Sequence, residues 1–326
     1  MSGDKPDVLL IGPEKPAIAD GLAHAFTVHR LLGEPEVVSS LIEIAEKIRG
    51  IAVSYMVPGV TGEFMERCPR LEIVSTFGVG YDHIDAAWAG RHGVIVTNTP
   101  EVLTDEVADT AIGLLLCTLR ELPQAERYLR AGKWPEGPYP LTRATLRNRT
   151  IGLVGMGRIG EAIARRLDAF AAPVVYHARR PRPHLPYRYF SELLTMAQAV
   201  DTLIVIVPGG KETHHLINAK VLEALGADGI LINIARGSVV DEAALITALQ
   251  DRTIHSAGLD VYANEPAVPA ELLAMEHVVL LPHVASASAY TRGMMDRLVV
   301  DNLQSWFEGK GPLTPVPETP WPPVRT

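Results

Sequence analysis

The sequence predicts an α/β fold with two parallel-sheet domains. Strand-length apolar runs alternate with helical patterns along nearly the whole chain, which is typical of parallel sheets joined by crossover helices. A G-x-G-x-x-G sequence at Gly155, Gly157 and Gly160 lies between one such run and one such helical pattern. The length of 326 residues and the 47% hydrophobic content suffice for two sizeable cores.

A first series of apolar runs predicts an N-terminal α/β unit, with strands at 7–11, 51–55, 71–77 and 94–97. The pattern from Thr104 to Leu122 follows, with an acidic start and a continuous apolar centre. It predicts one long buried helix, in a position to connect two domains.

A second series of apolar runs predicts a nucleotide-binding sheet, with strands at 150–154, 173–178, 202–207, 229–235, 256–260 and 278–281. A final helical pattern spans 287–309. The Pro-rich tail at 312–326 is predicted to be extended and peripheral.

Composition excludes several classes of partner. The formal net charge of -8, without a basic tail, argues against nucleic acid and anionic membranes. Cys68 and Cys117 are the two cysteines, and the N-terminus resembles no signal peptide, so we expect a cytoplasmic protein. We expect no metal site: His214 and His215 are adjacent, and adjacent side chains should point apart.

The glycine sequence has the context of a pyrophosphate site. Gly155 permits a tight turn, Gly157 lets a phosphate approach the backbone, and Gly160 lets the helix pack on the strand. The helix N-terminus, with Arg158 and Ile159, adds N–H groups and positive potential. An ordinary turn is the alternative.

The next strand indicates which dinucleotide is bound. In an NAD site an acidic residue lies about 20 residues beyond the glycines and binds the ribose. Here the strand ends in Ala178, followed by Arg179 and Arg180, whose charges suit a 2′-phosphate. NADP(H) is therefore favoured over NAD(H), with a solvated basic turn as the alternative.

Seven segments in order resemble the D-isomer-specific 2-hydroxyacid dehydrogenases, and among them the glyoxylate/hydroxypyruvate and hydroxyphenylpyruvate reductases. They lie at 77–85, 96–100, 155–160, 233–237, 258–261, 264–266 and 281–283. The resemblance implies two Rossmann-like domains, with a coenzyme domain at 101–286 inserted into a substrate domain formed by 1–100 and 287–326. It also implies a homodimer.

The resemblance implies a catalytic trio that the chemistry supports. Reduction of a 2-keto acid needs a cation for the carboxylate and a proton donor for the developing alkoxide. Arg236 and His283 each follow an apolar strand and would supply these. Glu265 would orient the imidazole and favour its protonated form.

Other roles come from the resemblance alone. The remaining cofactor contacts would be Thr104, Val207, Pro208, Ile234, Ala235 and Asp260, with Asp260 on the nicotinamide carboxamide. Thr104 is equally suited to an N-cap. The substrate would meet the backbone of Gly78, Val79 and Gly80, and also Tyr55 and Met56, which are alternatively core residues. Ala285 departs from the family's usual glycine, so we expect its methyl group to affect the shape of the pocket.

These observations predict an enzyme that uses NADPH to reduce a small 2-keto acid, such as glyoxylate or hydroxypyruvate, to the D-2-hydroxy acid. An aromatic pyruvate stays open as substrate. Two alternatives also stay open: a dinucleotide-sensing binding protein on the same fold, and an NAD-linked dehydrogenase of a larger hydroxy acid. The first would bind the dinucleotide without turnover.

Overall fold

The computed structural model describes residues 5–13, 15–31, 44–54 and 59–322. The chain forms two compact units, one made by the segments up to Leu103 and from Ser288 onward, the other by Thr104–Ala287. Each unit contains one parallel sheet, and the second unit is inserted into the first. The predicted fold class is confirmed.

The first unit has a five-stranded sheet in the order β2-β1-β3-β4-β5. Its strands are β1 (Asp7–Ile11), β2 (Thr27–Leu31), β3 (Ile48–Val53), β4 (Ile73–Thr76) and β5 (Ile95–Thr97). Within the described residues its helices are Pro16–Ala25, Gly62–Glu66, Ala86–Arg91 and the C-terminal helix Ala289–Phe307. The central strands are apolar and buried, as a sheet covered on both faces requires.

The second unit has a seven-stranded sheet in the order β12-β11-β10-β9-β6-β7-β8. Its strands are β6 (Ile151–Val154), β7 (Val174–His177), β8 (Arg188–Phe190), β9 (Thr202–Val205), β10 (Ile230–Asn233), β11 (Ser256–Leu259) and β12 (Val279–Leu280). Its helices are Thr104–Arg120, Leu122–Arg130, Arg158–Ala169, Leu193–Gln198, Ala219–Leu225, Glu242–Gln250 and Ala270–Ala274, with short 3-10 helices at Trp134–Glu136 and Gly237–Val239. Because every pairing is parallel, all seven strands end at one edge.

The helix predicted at 104–122 is two helices. The first ends at Arg120, and Glu121 has the left-handed φ of 51°, which an α-helix cannot contain. A second helix begins at Leu122, and Pro123 fits in its first turn because that turn needs no amide donor there. The first helix packs closely on the sheet, since a Cβ on Gly258 of β11 would lie 2.5 Å from Thr118 Oγ1.

The prediction of a peripheral tail is wrong. The Val316 N–H donates to the Val96 carbonyl at 2.9 Å, and the Val96 N–H donates to Thr319 Oγ1 at 3.0 Å. Both tail side chains are buried. The tail lies here because β5 is an edge strand whose backbone groups need partners.

The two adjacent histidines do not point apart as expected. The rings of His214 and His215 stack with centroids 3.9 Å apart and planes 22° apart. His215 has a positive φ of 51°, so the chain turns there and the alternation expected of extended residues does not apply.

Candidate active site

The glycine loop connects β6 to the helix Arg158–Ala169. Gly155 has a φ of 110°, and a Cβ there would lie 2.5 Å from the Ile206 carbonyl oxygen. A Cβ on Gly160 would lie 2.5 Å from the Gly155 carbonyl oxygen. A Cβ on Gly157 would meet nothing within 4 Å. Packing therefore requires two of the glycines, whereas Gly157 borders open space into which a ligand can fit.

That helix is suited to receive an anion. Gly157 is its N-cap and supplies no side-chain hydrogen bond to the first turn. The first-turn N–H groups of an α-helix point out of its N-terminus and carry the positive end of its dipole, and this first turn begins with Arg158 and Ile159. Together with the open space at Gly157, this arrangement fits the pyrophosphate of a dinucleotide.

The end of β7 presents cations and no carboxylate. Ala178 is half-buried, and Arg179 and Arg180 are exposed. The Arg179 guanidinium lies 3.8 Å from Glu212 Oε2, and the two side chains are 89% and 82% exposed. Such an exposed pair is weak, so it leaves the arginine available to a phosphate. Val207 and Pro208 follow β9 at the same edge.

Arg236 is positioned by the residue that ends β10. The Asn233 side chain donates to the Arg236 carbonyl at 3.1 Å and accepts the Ala235 N–H at 3.1 Å. The next residue, Gly237, packs so tightly on the Tyr262 backbone that a Cβ would collide with it. The turn carrying Arg236 is thus fixed, with Ile234 and Ala235 buried beside it.

His283 and Glu265 form a hydrogen-bonded pair. His283 Nδ1 lies 2.6 Å from Glu265 Oε2, and the side chains are 27% and 13% exposed. The other carboxylate oxygen accepts the Tyr262 N–H at 3.0 Å. Burial alone would raise the pKa of Glu265, but His283, this N–H and the nearby Arg236 together lower it below its usual value. Glu265 therefore favours its ionised carboxylate form beside the imidazole of His283.

Asp260 holds the loop that carries His283. Its two carboxylate oxygens accept the Val284 N–H at 2.7 Å and the Ala285 N–H at 2.9 Å, and its carbonyl accepts the His283 N–H at 2.9 Å. These bonds hold His283 at a φ of 53°, the left-handed region that β-carbons disfavour. Burial raises the pKa of Asp260 despite the two N–H bonds.

The predicted substrate loop lies in the first unit, after β4. Gly78 needs its glycine because its φ is 121°. The Gly78 N–H donates to Thr99 Oγ1 at 2.9 Å, and the Asn98 amide donates to the Val79 carbonyl at 2.8 Å. Tyr55 and Met56 lie outside the described residues.

Similar proteins identify the family. Residues 112–285 match the family model described as D-isomer specific 2-hydroxyacid dehydrogenase, NAD binding domain. The chain is 43% identical over 309 residues to glyoxylate/hydroxypyruvate reductase A of Arabidopsis thaliana and to hydroxyphenylpyruvate reductase of Plectranthus scutellarioides, covering 95% of this chain and 98% of each relative. The chain belongs to the D-isomer-specific 2-hydroxyacid dehydrogenase family.

A solved member of this family has the same fold. It is an NADPH-dependent glyoxylate/hydroxypyruvate reductase of Sinorhizobium meliloti, solved in complex with NADP and malonate. It is 52% identical, superimposes with a TM-score of 0.93, and the match covers 99% of this chain and 100% of that one. The present chain is accordingly an oxidoreductase with a nicotinamide dinucleotide cofactor.

For this 2-hydroxyacid dehydrogenase, the structure brings most of the predicted site residues of the second unit to one edge of one sheet. The glycine loop, Ala178, Val207, Arg236, Asp260 and His283 all follow the carboxyl ends of strands in one sheet. Thr104 is the first residue of its helix. The functional role of each residue stays a prediction.

Sequence reasoning missed the residues that brace the predicted site residues within each unit: Asn98 and Thr99 in the first unit, and Asn233 and Tyr262 in the second. All four are buried. The side chains of the first three bond backbone groups of predicted site residues, whereas the backbone N–H of Tyr262 donates to the Glu265 carboxylate. A signal was present for Asn233, since a polar residue ends an otherwise apolar strand. Nothing in the local pattern distinguishes Tyr262 from an ordinary core residue.

Two further findings concern the described part of the chain. None of its helices is both long and apolar enough to cross a membrane. Its His, Cys, Asp and Glu side chains form no group of three that could hold a metal ion.

Proposed function

We propose that this 2-hydroxyacid dehydrogenase reduces a small 2-keto acid, such as glyoxylate or hydroxypyruvate, to the D-2-hydroxy acid with NADPH. The observation that carries the proposal is the 2.6 Å contact between His283 and Glu265. This pair lies at the same sheet edge as Arg236 and the glycine loop. An acid/base, a carboxylate-binding cation and a dinucleotide site are what the reaction needs.

In this mechanism His283 gives the proton. Because Nδ1 is held by Glu265, the proton that reaches the carbonyl oxygen comes from Nε2. Glu265 fixes the ring orientation and stabilises the imidazolium until the proton leaves. Arg236 binds the substrate carboxylate with its planar fork, and the Val79 and Gly80 N–H groups are proposed to bind it as well.

NADPH supplies the hydride when bound. Arg179 and Arg180 would bind its 2′-phosphate through charge-assisted hydrogen bonds, which NADH cannot form. Ala178 offers NADH no carboxylate for its ribose hydroxyls. Both features support NADPH, and so does the cofactor of the Sinorhizobium relative.

The relatives support two substrate classes. Glyoxylate and hydroxypyruvate are named for the Arabidopsis and Sinorhizobium proteins, and hydroxyphenylpyruvate for the Plectranthus protein. The aromatic acid is therefore the second candidate. Ala285 is buried, and the effect of its methyl group on this choice stays a prediction.

A steady-state assay tests the proposal. The purified chain is given glyoxylate, hydroxypyruvate or hydroxyphenylpyruvate with NADPH and then with NADH, and oxidation of the cofactor is followed. We expect the highest kcat/KM with a small keto acid and NADPH, and reverse turnover with D-glycerate but not L-glycerate. Tight NADPH binding without turnover of any keto acid would favour a dinucleotide sensor, and turnover with NADH alone would favour an NAD-linked dehydrogenase.

A further inference from the structure

We propose that Asn98, Thr314 and Asn302 form a relay that positions the carboxylate-binding peptide of the substrate loop. The inference rests on the proposed function, because it assigns the loop Gly78–Gly80 to the substrate carboxylate. It adds three positioning residues, two of them in the C-terminal helix and tail. None of the three needs to touch the substrate.

The relay begins at the loop itself. The Asn98 amide donates to the Val79 carbonyl at 2.8 Å. The peptide between Val79 and Gly80 is planar and trans, so its N–H points away from its C=O. Holding the carbonyl on Asn98 therefore directs the Gly80 N–H to the opposite side. Val79 itself is 37% exposed, whereas Asn98 is buried.

The relay continues into the tail. Asn98 is bonded on both sides of its backbone: the Thr314 hydroxyl donates to its carbonyl at 2.7 Å, and its N–H donates to the Thr314 carbonyl at 3.3 Å. A hydroxyl has one proton, and that of Thr314 is used on Asn98. The hydroxyl oxygen still accepts, and Asn302 Nδ2 donates to it at 2.9 Å.

Asn302 anchors the relay in the C-terminal helix. Its side chain is fully buried, and its Oδ1 accepts the N–H groups of Leu313 and Thr314 at 3.0 Å each. Its Nδ2 also donates to the Leu298 carbonyl at 2.8 Å. A buried amide with all these bonds satisfied is held in one orientation, because any rotation would leave polar groups unpaired. Asn302 thereby fixes the Thr314 hydroxyl, which fixes the Asn98 carbonyl, and the Asn98 amide in turn fixes the Val79 peptide.

Four variants and two measurements test the relay. Thr314→Val keeps the shape and removes the hydroxyl, Thr314→Ser restores it, and Asn98→Asp replaces the donor by an oxygen that repels the Val79 carbonyl. Thr319→Val is the matched control, because its hydroxyl also joins the tail to β5 but bonds only Val96. Malonate binding to the NADPH-saturated protein is measured by calorimetry, and KM and kcat with glyoxylate are measured in parallel.

We expect Thr314→Val to raise the malonate Kd and the glyoxylate KM about fivefold, the size of one neutral hydrogen bond, with kcat and the NADPH Kd within about twofold. Asn98→Asp should raise the malonate Kd and the glyoxylate KM at least about tenfold. Thr314→Ser and Thr319→Val should match the wild type.

An unchanged malonate Kd in Thr314→Val, an equal rise in Thr319→Val, or no recovery in Thr314→Ser would overturn the relay, as would a wild type that binds no malonate. A wild type that binds malonate but reduces no keto acid contradicts the proposed function instead. The relay is then judged on the Kd values alone.

Discussion

The two carboxylates bonded to His283 and its loop have different roles, and their environments shift their pKa values in opposite directions. Glu265 bonds the imidazole, and its pKa is lowered by the positive groups around it despite burial. Asp260 bonds backbone N–H groups, and burial raises its pKa. Glu265 therefore acts on the imidazole ring that is proposed to transfer the proton, whereas Asp260 acts on the loop that holds this ring.

Removing the imidazole of His283 should slow the reduction step and leave NADPH binding intact. We expect His283→Ala to lower kcat roughly 10² to 10⁴-fold, the usual contribution of a positioned acid/base, with the NADPH Kd nearly unchanged. His24→Ala, at an exposed histidine in the first unit, is the control and should match the wild type. Steady-state kinetics and fluorescence titration give the two quantities. A kcat near that of the wild type would remove His283 from the mechanism.

The lowered pKa of Glu265 predicts a pH-dependent stability. A carboxyl whose pKa is lower in the folded state stabilises the fold above its ordinary pKa, about 4.3, and that contribution is lost as the pH falls through the lowered pKa. The urea midpoints of the wild type and Glu265→Gln should therefore differ most at pH 6 and converge toward pH 3. Measuring both proteins at each pH cancels the other titrating groups. A difference that grows as the pH falls would contradict the pair geometry.

Most of the proposed site residues could be selected from the sequence because each follows an apolar strand or lies in a motif. Gly155, Arg236 and His283 are of this kind. Asn302 and Thr314 were not predictable, since their partners are distant in sequence and no local pattern marks them. Hydrogen bonds between distant segments depend on the tertiary fold, and the local pattern of a single sequence does not reveal them.

At the scale of elements, the central strands and two of the four edge strands were predicted, and the other two edge strands were missed. The ten predicted strands all have counterparts, often shorter by a residue or two or displaced at one end, as with 51–55 and the observed Ile48–Val53. The two missed strands, β2 and β8, each pair with one neighbour only. β2 contains His29 and Arg30, and β8 is only three residues long and begins with an arginine, so neither shows a continuous apolar run.

The glycine loop predicts two opposite mutant phenotypes. Gly157→Ala places a methyl group in open space at an N-cap, so we expect the melting temperature to fall by no more than a few degrees while NADPH binding weakens at least about tenfold. Gly160→Ala forces a methyl group against the Gly155 carbonyl and should cost about 1–3 kcal/mol of stability. Thermal denaturation and cofactor titration distinguish them. Equal effects on binding and stability in both variants would contradict this assignment.

The turn after β7 predicts the cofactor preference. Each charge-assisted bond from Arg179 or Arg180 to a 2′-phosphate should contribute about 1.5–3 kcal/mol, so NADPH should bind more than about tenfold tighter than NADH. Arg179→Ala should weaken NADPH binding at least about tenfold and leave NADH binding nearly unchanged. Adding Ala178→Asp should turn the preference toward NADH, because a carboxylate repels the phosphate.

Titration of the wild type and these two variants with both cofactors, at fixed ionic strength, measures the cofactor preference. Lys220→Ala, at an exposed cation elsewhere in the second unit, is the control for a general loss of positive charge. If Arg179→Ala weakened the binding of both cofactors alike, or if the wild type bound both with equal affinity, the arginines would be a solvated surface turn.

At the scale of the whole molecule, the order of the segments is the strongest information in the sequence. A second series of strands begins at β6 before the first unit is complete, and the chain returns to that unit at Ser288. The resemblance to the 2-hydroxyacid dehydrogenases, and not the order of the runs alone, predicted that the early apolar runs and the final helical pattern belong together. The tail was placed wrongly because its partner, the edge of β5, is more than 200 residues away in sequence.

The resemblance to the 2-hydroxyacid dehydrogenases implies a homodimer, and we expect it to pair through the helix Leu122–Arg130 and the segment after it. That helix is amphipathic, yet none of its residues is buried within the chain. Leu122, Leu129 and Trp134, which lie on this helix and on the segment after it, are 50%, 55% and 66% exposed. A helix of nine residues is marginal in water unless its apolar face is covered. A second copy of the chain would cover it.

Light scattering coupled to size exclusion tests the dimer. At micromolar concentration we expect a mass twice the 35.4 kDa of the chain. Leu129→Glu should shift the mass to that of one chain, because a charge buried in an apolar interface without a partner is costly. Leu273→Glu is the matched control, since that leucine is 65% exposed on a different helix of the same unit and should leave the dimer intact. A wild type with the mass of a single chain would contradict the dimer, and dissociation by both variants alike would place the interface elsewhere.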